Sequence, residues 1–196
     1  MKRFLLSIIF YWILCVGLFS QNWNEIINSV PSPMSSSDFT QYGYSVAVSG
    51  DYAVVGAPLE DRGTSSWNPY YDNGVAYVFN RVNGSWVLKQ KLTFYTEFNY
   101  MYGKLNFGCS VAISGDWIVV GSKGDFVTDA NDMPYYSAGS ITLFQKNSTG
   151  TFVRKQYIEC PVKQEDMKFG ESVAIYQNLL VVGAPGYNKS GLTNVG

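Results

Sequence analysis

The chain contains three copies of one short stretch. The copies read YGYSVAVSGDYAVVGA at 42–57, FGCSVAISGDWIVVGS at 107–122 and FGESVAIYQNLLVVGA at 169–184. Their second residues, Gly43, Gly108 and Gly170, stand 65 and 62 residues apart. This period is longer than that of a solenoid repeat and is compatible with one blade of a β-propeller. The repeat therefore predicts an array of equivalent structural units.

Each copy accommodates four strands, two in the repeated stretch and two beyond it. The predicted strands are 45–49, 53–57, 75–79 and 86–92 in the first copy, 110–114, 118–122, 141–144 and 152–158 in the second, and 172–176 and 179–184 in the third. The first two strands are almost continuously apolar, which is typical of strands buried on both faces. The fourth carry lysine or arginine, as outer edge strands do. The sequence therefore predicts an all-β fold of four-stranded antiparallel blades, with no long helix between 40 and 196.

A two-residue turn joins the first two strands of each copy. It reads Gly50–Asp51 and Gly115–Asp116, with glycine first, as in hairpin turns that match the strand twist. Asp51 and Asp116 are interpreted as turn formers. The third copy has Gln177–Asn178 instead, so its turn is predicted to differ.

The repeats divide the chain into consecutive segments. Blade 1 is predicted over 42–106, blade 2 over 107–168 and the first half of blade 3 over 169–196, where the chain stops before a third strand. Residues 21–41 are expected to form an orphan outer strand and linker, of the kind that closes a propeller ring. The chain is accordingly expected to be a partial β-propeller of about two and a half blades, either the N-terminal portion of a longer protein or a truncated gene model.

The repeated words resemble FG-GAP repeats, the blade unit of integrin-alpha-like β-propellers. Phe107–Gly108 and Phe169–Gly170 match the first word, and Gly56–Ala57–Pro58 and Gly183–Ala184–Pro185 match the second. The first copy departs from the pattern with tyrosine at 42, and the second departs with Gly-Ser-Lys at 121–123. The resemblance covers about 42–196 and implies a propeller segment that acts as a binding or scaffold module.

The calcium role of the family does not carry over to the turns between the first two strands. Calcium-binding integrin repeats have a long, Asp-rich loop there, whereas Asp51 and Asp116 each stand alone in a tight turn. Calcium takes about six to eight oxygen ligands, which one carboxylate in a hairpin turn cannot supply. The sequence predicts no metal site and no cofactor.

The N-terminus has the layout of a secretory signal peptide. Lys2 and Arg3 precede an apolar run over 4–19, and polar residues follow from Ser20. Residues 1–20 are therefore predicted to be a signal peptide, with an uncleaved signal anchor as the alternative. Three Asn-x-Ser/Thr sequons are candidate glycosylation sites, at Asn83, Asn147 and Asn188. These features predict a secreted or extracellular cell-surface protein, with membrane contact only through the signal or a segment further downstream.

Composition removes several kinds of chemistry. The chain has no histidine, which excludes histidine-dependent triads and histidine metal or haem sites. Loss of Lys2 and Arg3 with the signal would take the formal charge from −1 to −3, so nothing favours nucleic acid as a partner. Cys109 and Cys160 are predicted to remain unpaired, because a first and a fourth strand are separated by three spacings of about 4.8 Å.

Two long loops, 59–73 and 123–138, follow the second strands and hold the candidate recognition residues. Acidic side chains gather in both, namely Glu60, Asp61, Asp72, Asp125, Asp129 and Asp132. The stretch DANDM at 129–133 lacks the glycine and distal glutamate of an EF-hand, and it is interpreted as solvated loop. Loops on one rim of a scaffold often carry function, and aromatic rings suit recognition. The candidates are Trp67, Tyr70, Tyr71, Asp129, Asp132, Tyr135 and Tyr136.

Three functions remain open at this point. The first is a non-catalytic binding or scaffold module whose rim contacts a protein or a glycan. The second is a hydrolase that uses carboxylates on the propeller face, although no catalytic residue can be named. The third is a purely structural fragment of a larger surface protein, in which the loop aromatics only pack onto the blades.

Overall fold

A computed structural model describes residues 40–60, 73–94, 104–131 and 133–196. All regular secondary structure in these ranges is β, which confirms the all-β prediction. Neither a membrane-spanning helix nor any other long helix occurs among these residues. The predicted signal peptide, the segment 21–39 and four candidate residues, Trp67, Tyr70, Tyr71 and Asp132, lie outside the described ranges.

The strands form two four-stranded sheets and a two-stranded one, consistent with a partial propeller. Blade 1 contains β1 (Ser45–Ser49), β2 (Tyr52–Ala57), β3 (Val75–Val82) and β4 (Ser85–Thr93) in the order β1-β2-β3-β4. Blade 2 contains β5 (Phe107–Ser114), β6 (Trp117–Ser122), β9 (Ser140–Lys146) and β10 (Phe152–Glu159) in the order β5-β6-β9-β10. Blade 3 is the pair β11 (Ser172–Tyr176) and β12 (Leu179–Gly183). All pairings within the blades are antiparallel.

A small hairpin that the sequence did not indicate stands in the second long loop. It consists of β7 (Val127–Thr128) and β8 (Pro134–Tyr135). Asp129 stabilises its turn, because Oδ1 of Asp129 accepts the N–H groups of Asn131 at 2.8 Å and Met133 at 3.0 Å. The hairpin projects from blade 2 beside the connection to blade 3.

Blades 1 and 2 enclose the main apolar core. Phe107 is fully buried and lies edge-on to Phe94 and Phe144, with ring centroids 6.1 and 6.3 Å away. The outer strands are joined by Gln90, whose side-chain amide exchanges two hydrogen bonds with the backbone of Phe152, at 2.7 and 2.9 Å. The amide thus satisfies backbone groups of β10 where no strand of blade 1 pairs with it.

One contact recurs between consecutive blades and explains why serine and glycine recur in the repeat. The hydroxyl of Ser45 donates to the carbonyl oxygen of Gly108 at 2.8 Å, and the hydroxyl of Ser110 donates to that of Gly170 at 2.6 Å. Gly56 and Gly121 lie against the same carbonyls, so closely that a Cβ atom would overlap them. We call this contact the serine–glycine joint.

The prediction that the first two strands of every copy are buried on both faces holds only for blade 2. There β5 and β6 are buried along almost their whole length. In contrast β1 and β11 alternate between exposed and half-buried residues. The reason is that blade 2 has a neighbour on each side, whereas blades 1 and 3 each have one neighbour among the described residues.

The prediction that the third turn must differ is also wrong. Gln177 has a φ of 54°, close to the 57° of Gly50 and the 56° of Gly115. The neighbouring blade holds this backbone, because the N–H of Gln177 donates to the hydroxyl oxygen of Ser114 at 3.1 Å. The N–H of Gly115 makes the same bond to Ser49 at 3.2 Å.

The two cysteines lie where the strand assignment predicts. Cys109 is in β5 and Cys160 directly follows β10, at opposite edges of blade 2, and both are buried free thiols. Burial raises the pKa of both thiols. Cys160 packs in a separate small cluster with Val127, Ala138 and Met167.

Candidate functional site

Blades 1 and 2 each bury a carboxylate shortly after their second strand. Glu60 is fully buried and Asp125 is 3% exposed. The two occupy equivalent places, because the N–H of Glu60 donates to the carbonyl of Ala57 and that of Asp125 to the carbonyl of Ser122, both at 3.1 Å. The sequence grouped these two acids with the other acidic residues of the long loops, and the structure places both in the interior.

In blade 1 the buried carboxylate has both a phenol and a cation. The hydroxyl of Tyr77 lies 2.8 and 2.7 Å from the two carboxylate oxygens of Glu60, and Nζ of Lys91 lies 2.6 Å from Oε1. Burial and this hydrogen bond raise the pKa of Tyr77. Because a cation accompanies the anion, the site satisfies the requirement that buried charges be paired.

In blade 2 the buried carboxylate has hydroxyl partners instead. Oδ2 of Asp125 accepts from the hydroxyls of Ser140 at 2.6 Å and Tyr157 at 2.7 Å, and Oδ1 accepts the N–H of Phe126 at 2.9 Å. These bonds favour the charged form, but burial outweighs them and raises the pKa of Asp125 to about 6. Burial and the adjacent Asp125 charge raise the pKa of Tyr157.

Two further hydroxyls are buried on the same face of blade 2. Ser122 pairs across the sheet with Ser140, and Thr142 pairs with Tyr157, which places all four side chains on one face. Neither the hydroxyl of Ser122 nor that of Thr142 has a hydrogen-bond partner among the described residues. This polar cluster is closed to solvent, so it can influence stability but cannot meet a large substrate.

An open cleft of about 870 Å³ lies at the rim between blades 2 and 3. We call it the rim cleft. It is bounded by the β7–β8 hairpin, the connection from blade 2 to blade 3, and the turns that follow β12. One wall is apolar, formed by Met133, Pro134 and Tyr135. The other walls present charged and amide groups, among them Asp129, Lys163, Gln164, Glu165, Asp166 and Asn188.

Hydrogen bonds hold the walls of the rim cleft in position. Oε1 of Gln164 accepts the N–H of Asn188 at 3.2 Å, and Oδ1 of Asn188 accepts the N–H of Asn194 at 2.7 Å. The N–H of Asp166 donates to the carbonyl of Tyr136 at 3.0 Å. Hydrogen bonds therefore connect three separate chain segments around the cleft, which favours a preformed binding site.

The structure brings together part of the predicted recognition set. Asp129 and Tyr135 line the rim cleft, and exposed Tyr136 lies beside it. Tyr135 also packs against the cluster around Val127, so it is at once a packing residue and a wall of the cleft. The N–H groups of Met133 and Asn131 lower the pKa of Asp129, which therefore remains an anion.

Sequence reasoning missed the polar half of the rim cleft. Lys163 to Asp166 belong to the connection between blades 2 and 3, outside the three repeated stretches, and no sequence motif identifies them. The three sequon asparagines, Asn83, Asn147 and Asn188, are all exposed. Of these Asn188 lines the cleft itself.

The family model described as the FG-GAP repeat matches residues 23–79 and 104–134. The chain therefore contains FG-GAP repeats in these two stretches. The matched residues include β1, β2 and the first five residues of β3 in blade 1, and β5 and β6 in blade 2. They contain Gly56 and Gly121, the two second-strand glycines of the serine–glycine joints. FG-GAP repeats suggest an integrin-alpha-like propeller module, of a kind that is generally non-enzymatic and occurs in extracellular or cell-surface proteins. A comparison with curated proteins finds no match.

Proposed function

We propose that this FG-GAP segment is a secreted or cell-surface binding module without catalytic activity, and that a protein or glycan partner occupies the rim cleft. The observation that carries the proposal is the pairing of an apolar wall at Tyr135 with amide and carboxylate groups opposite it. Binding sites commonly combine apolar and aromatic walls with a few placed polar groups. A sugar ring or a polar peptide presents both kinds of surface.

The buried acids favour binding over hydrolysis. A hydrolase needs an acid whose pKa is raised and that touches its substrate. Asp125 has the raised pKa, but all its partners are protein groups and it is 3% exposed. Asp129, which lies in the rim cleft, has its pKa lowered instead. The acid whose pKa is raised is therefore not among the acids that line the rim cleft, which are Asp129, Glu165 and Asp166.

The test is a charge reversal in the rim cleft. The full chain, secreted from a eukaryotic host, is applied to an array of oligosaccharides and to intact cells with a cross-linker, as wild type and as Glu165→Arg. Asp51→Arg, in an exposed turn outside the cleft, is the matched control. We expect binding that Glu165→Arg abolishes and Asp51→Arg retains. Binding in neither assay, or binding that both variants retain, would overturn the proposal.

A further inference from the structure

The described array of blades ends in two exposed sheet faces. The N-end face is the side of blade 1 away from blade 2, and it carries Val46 and Val48 of β1, which are 69% and 66% exposed. The C-end face is the side of blade 3 away from blade 2, and it carries Leu179 and Val181 of β12, which are 65% and 67% exposed. Each end face therefore exposes two large aliphatic side chains, which together form an uncovered apolar surface.

The C-end face carries the donor half of a serine–glycine joint. Ser172 and Gly183 pair across β11 and β12, as Ser45 and Gly56 do in blade 1. A Cβ atom on Gly56 would overlap the carbonyl of Gly108, whereas the three atoms nearest to a Cβ atom on Gly183 all belong to Ser172. The Ser172 hydroxyl is thus presented toward solvent in the geometry that binds a glycine carbonyl elsewhere.

The N-end face carries the acceptor half. Gly43 has a φ of 88°, against 89° for Gly108 and 88° for Gly170, the two carbonyls that accept a serine hydroxyl. The N–H of Gly43 donates to the carbonyl of Gly56 at 3.0 Å, as that of Gly170 does to Gly183 at 3.0 Å. The backbone of Gly43 is therefore held in the same conformation as that of the two accepting glycines.

The exposed apolar residues match residues that the internal contacts bury. Val46 is the counterpart of Val111 in the register of the first strands, and Val111 is 8% exposed because it faces blade 1. Val181 is the counterpart of Val54, which is fully buried against blade 2. Each end face is thus one side of a contact that the molecule already makes twice.

We propose that a second copy of this chain docks head to tail, with the N-end face of one copy on the C-end face of the other. The hydroxyl of Ser172 in one copy donates to the carbonyl of Gly43 in the next, and the exposed valines pack between them. The new contact continues the internal blade interface. It is heterologous, so it leaves one free end face of each kind and propagates or closes into a ring.

The charges and turns near the joint agree with this pairing. Between blades 2 and 3 an ion pair joins Lys123 to Glu171 at 2.8 Å. The corresponding positions at the proposed contact are Pro185 and Tyr44, which introduce no unpaired charge. The hydroxyls of Ser49 and Ser114 each accept a backbone N–H from the turn of the following blade, and Tyr176 occupies the corresponding position in blade 3. The new contact therefore has one hydrogen bond fewer and should be weaker than the internal contacts.

The test uses one charge on each end face and measures mass by sedimentation velocity over a wide range of concentrations. The variants of the full chain are Val48→Asp and Val181→Asp, and Val87→Asp on the outer strand β4 is the matched control at an exposed valine. We expect wild type and Val87→Asp to associate as concentration rises, and each end-face variant alone to stay monomeric. Circular dichroism and melting curves check that the variants remain folded.

Mixing the two end-face variants gives the sharper result. Val48→Asp retains an intact C-end face and Val181→Asp an intact N-end face, so an equal mixture should form a dimer with one copy of each and nothing larger. Association of either variant alone, or a mixture that stays monomeric, would overturn the head-to-tail contact. A wild type that stays monomeric at every concentration would also overturn it, and would assign the end faces to other segments of the same polypeptide.

Discussion

Replacing Gly121 by alanine should weaken the contact between blades 2 and 3 by about 3 kcal/mol. The new Cβ atom would overlap the carbonyl oxygen of Gly170 and the hydroxyl oxygen of Ser110, which are joined by a hydrogen bond of 2.6 Å. A backbone carbonyl cannot rotate away, so the blades must separate, at a cost near the upper end of the ~1–3 kcal/mol for overpacking. Loss of the serine hydrogen bond adds about 1 kcal/mol, and the lower chain entropy of alanine offsets about 0.5 kcal/mol.

Gly183→Ala is the matched control for this prediction. Gly183 meets its own serine, Ser172, as Gly121 meets Ser110, but no carbonyl of a following blade lies beside it among the described residues. The difference between the two variants therefore isolates the carbonyl contact. Thermal unfolding at equal, low protein concentration should show a fall of roughly 6–12 °C for Gly121→Ala and a far smaller change for Gly183→Ala. Equal melting temperatures would refute the reasoning that the repeated glycine exists for close approach between blades.

The remaining predictions concern titration, backbone strain, calcium and redox state. Burial raises the pKa of Asp125 from 3.8 to about 6, so its contribution to stability is fully present below pH 3.8 and is lost as the pH rises through 6. The free energy of unfolding, measured by denaturant titration, should therefore be lower at pH 7 than at pH 4. Asp125→Asn should remove up to about 3 kcal/mol of this difference. Gln177→Gly should raise the free energy of unfolding by about 1 kcal/mol, because it relieves a positive φ, and an unchanged melting temperature would contradict this. Calcium should leave the melting temperature unchanged, and a rise abolished by Asp116→Ala would show a site in the turn. Gel mobility should be the same with and without reductant, and a Cys109–Cys160 cross-linked peptide would disprove the strand order.

The blades could be predicted because their constraints are local and repeated. The glycines at 50 and 115 come first in tight turns with positive φ, and apolar runs of strand length flank them. Three copies in register made each assignment support the others. The assumption that a turn without glycine must change was wrong. Gln177 keeps the positive φ of the glycines in the other two turns, because the hydrogen bond to Ser114 in the preceding blade outweighs local preference.

The rim cleft could be predicted only in part. Aromatic and acidic residues marked the loop with Asp129 and Tyr135, but the opposite wall comes from a connection and a turn with no repeated word. Two-residue strands such as β7 and β8 carry no periodic signal, and proline at position 134 argues against a strand. Which loops meet at a rim is decided by how the blades pack, and a linear sequence does not state that packing.

The burial of Glu60 and Asp125 did leave a signal, namely an acid at the third position after the second strand in both copies. The phenol that binds it is on β3 in blade 1, as Tyr77, and on β10 in blade 2, as Tyr157. Tyr77 pairs with Lys91 across the sheet of blade 1, and Thr142 pairs with Tyr157 at the equivalent positions of blade 2. Because the side chains of directly paired residues lie close together, a tyrosine at either position can reach the buried carboxylate.

The same exchange removes the cation from blade 2, since tyrosine occupies the position that Lys91 holds in blade 1. Burial then raises the pKa of Asp125, and no positive charge among the residues that the structure describes opposes this shift. Tyr157 also lies 5.6 Å from Phe94 of blade 1, measured between ring centroids, and packs against the shared core. Asp125, whose pKa is raised to about 6 by burial, therefore accepts a hydrogen bond from a residue that packs at the contact between blades 1 and 2. We expect acidification to raise the free energy of unfolding of the two blades together.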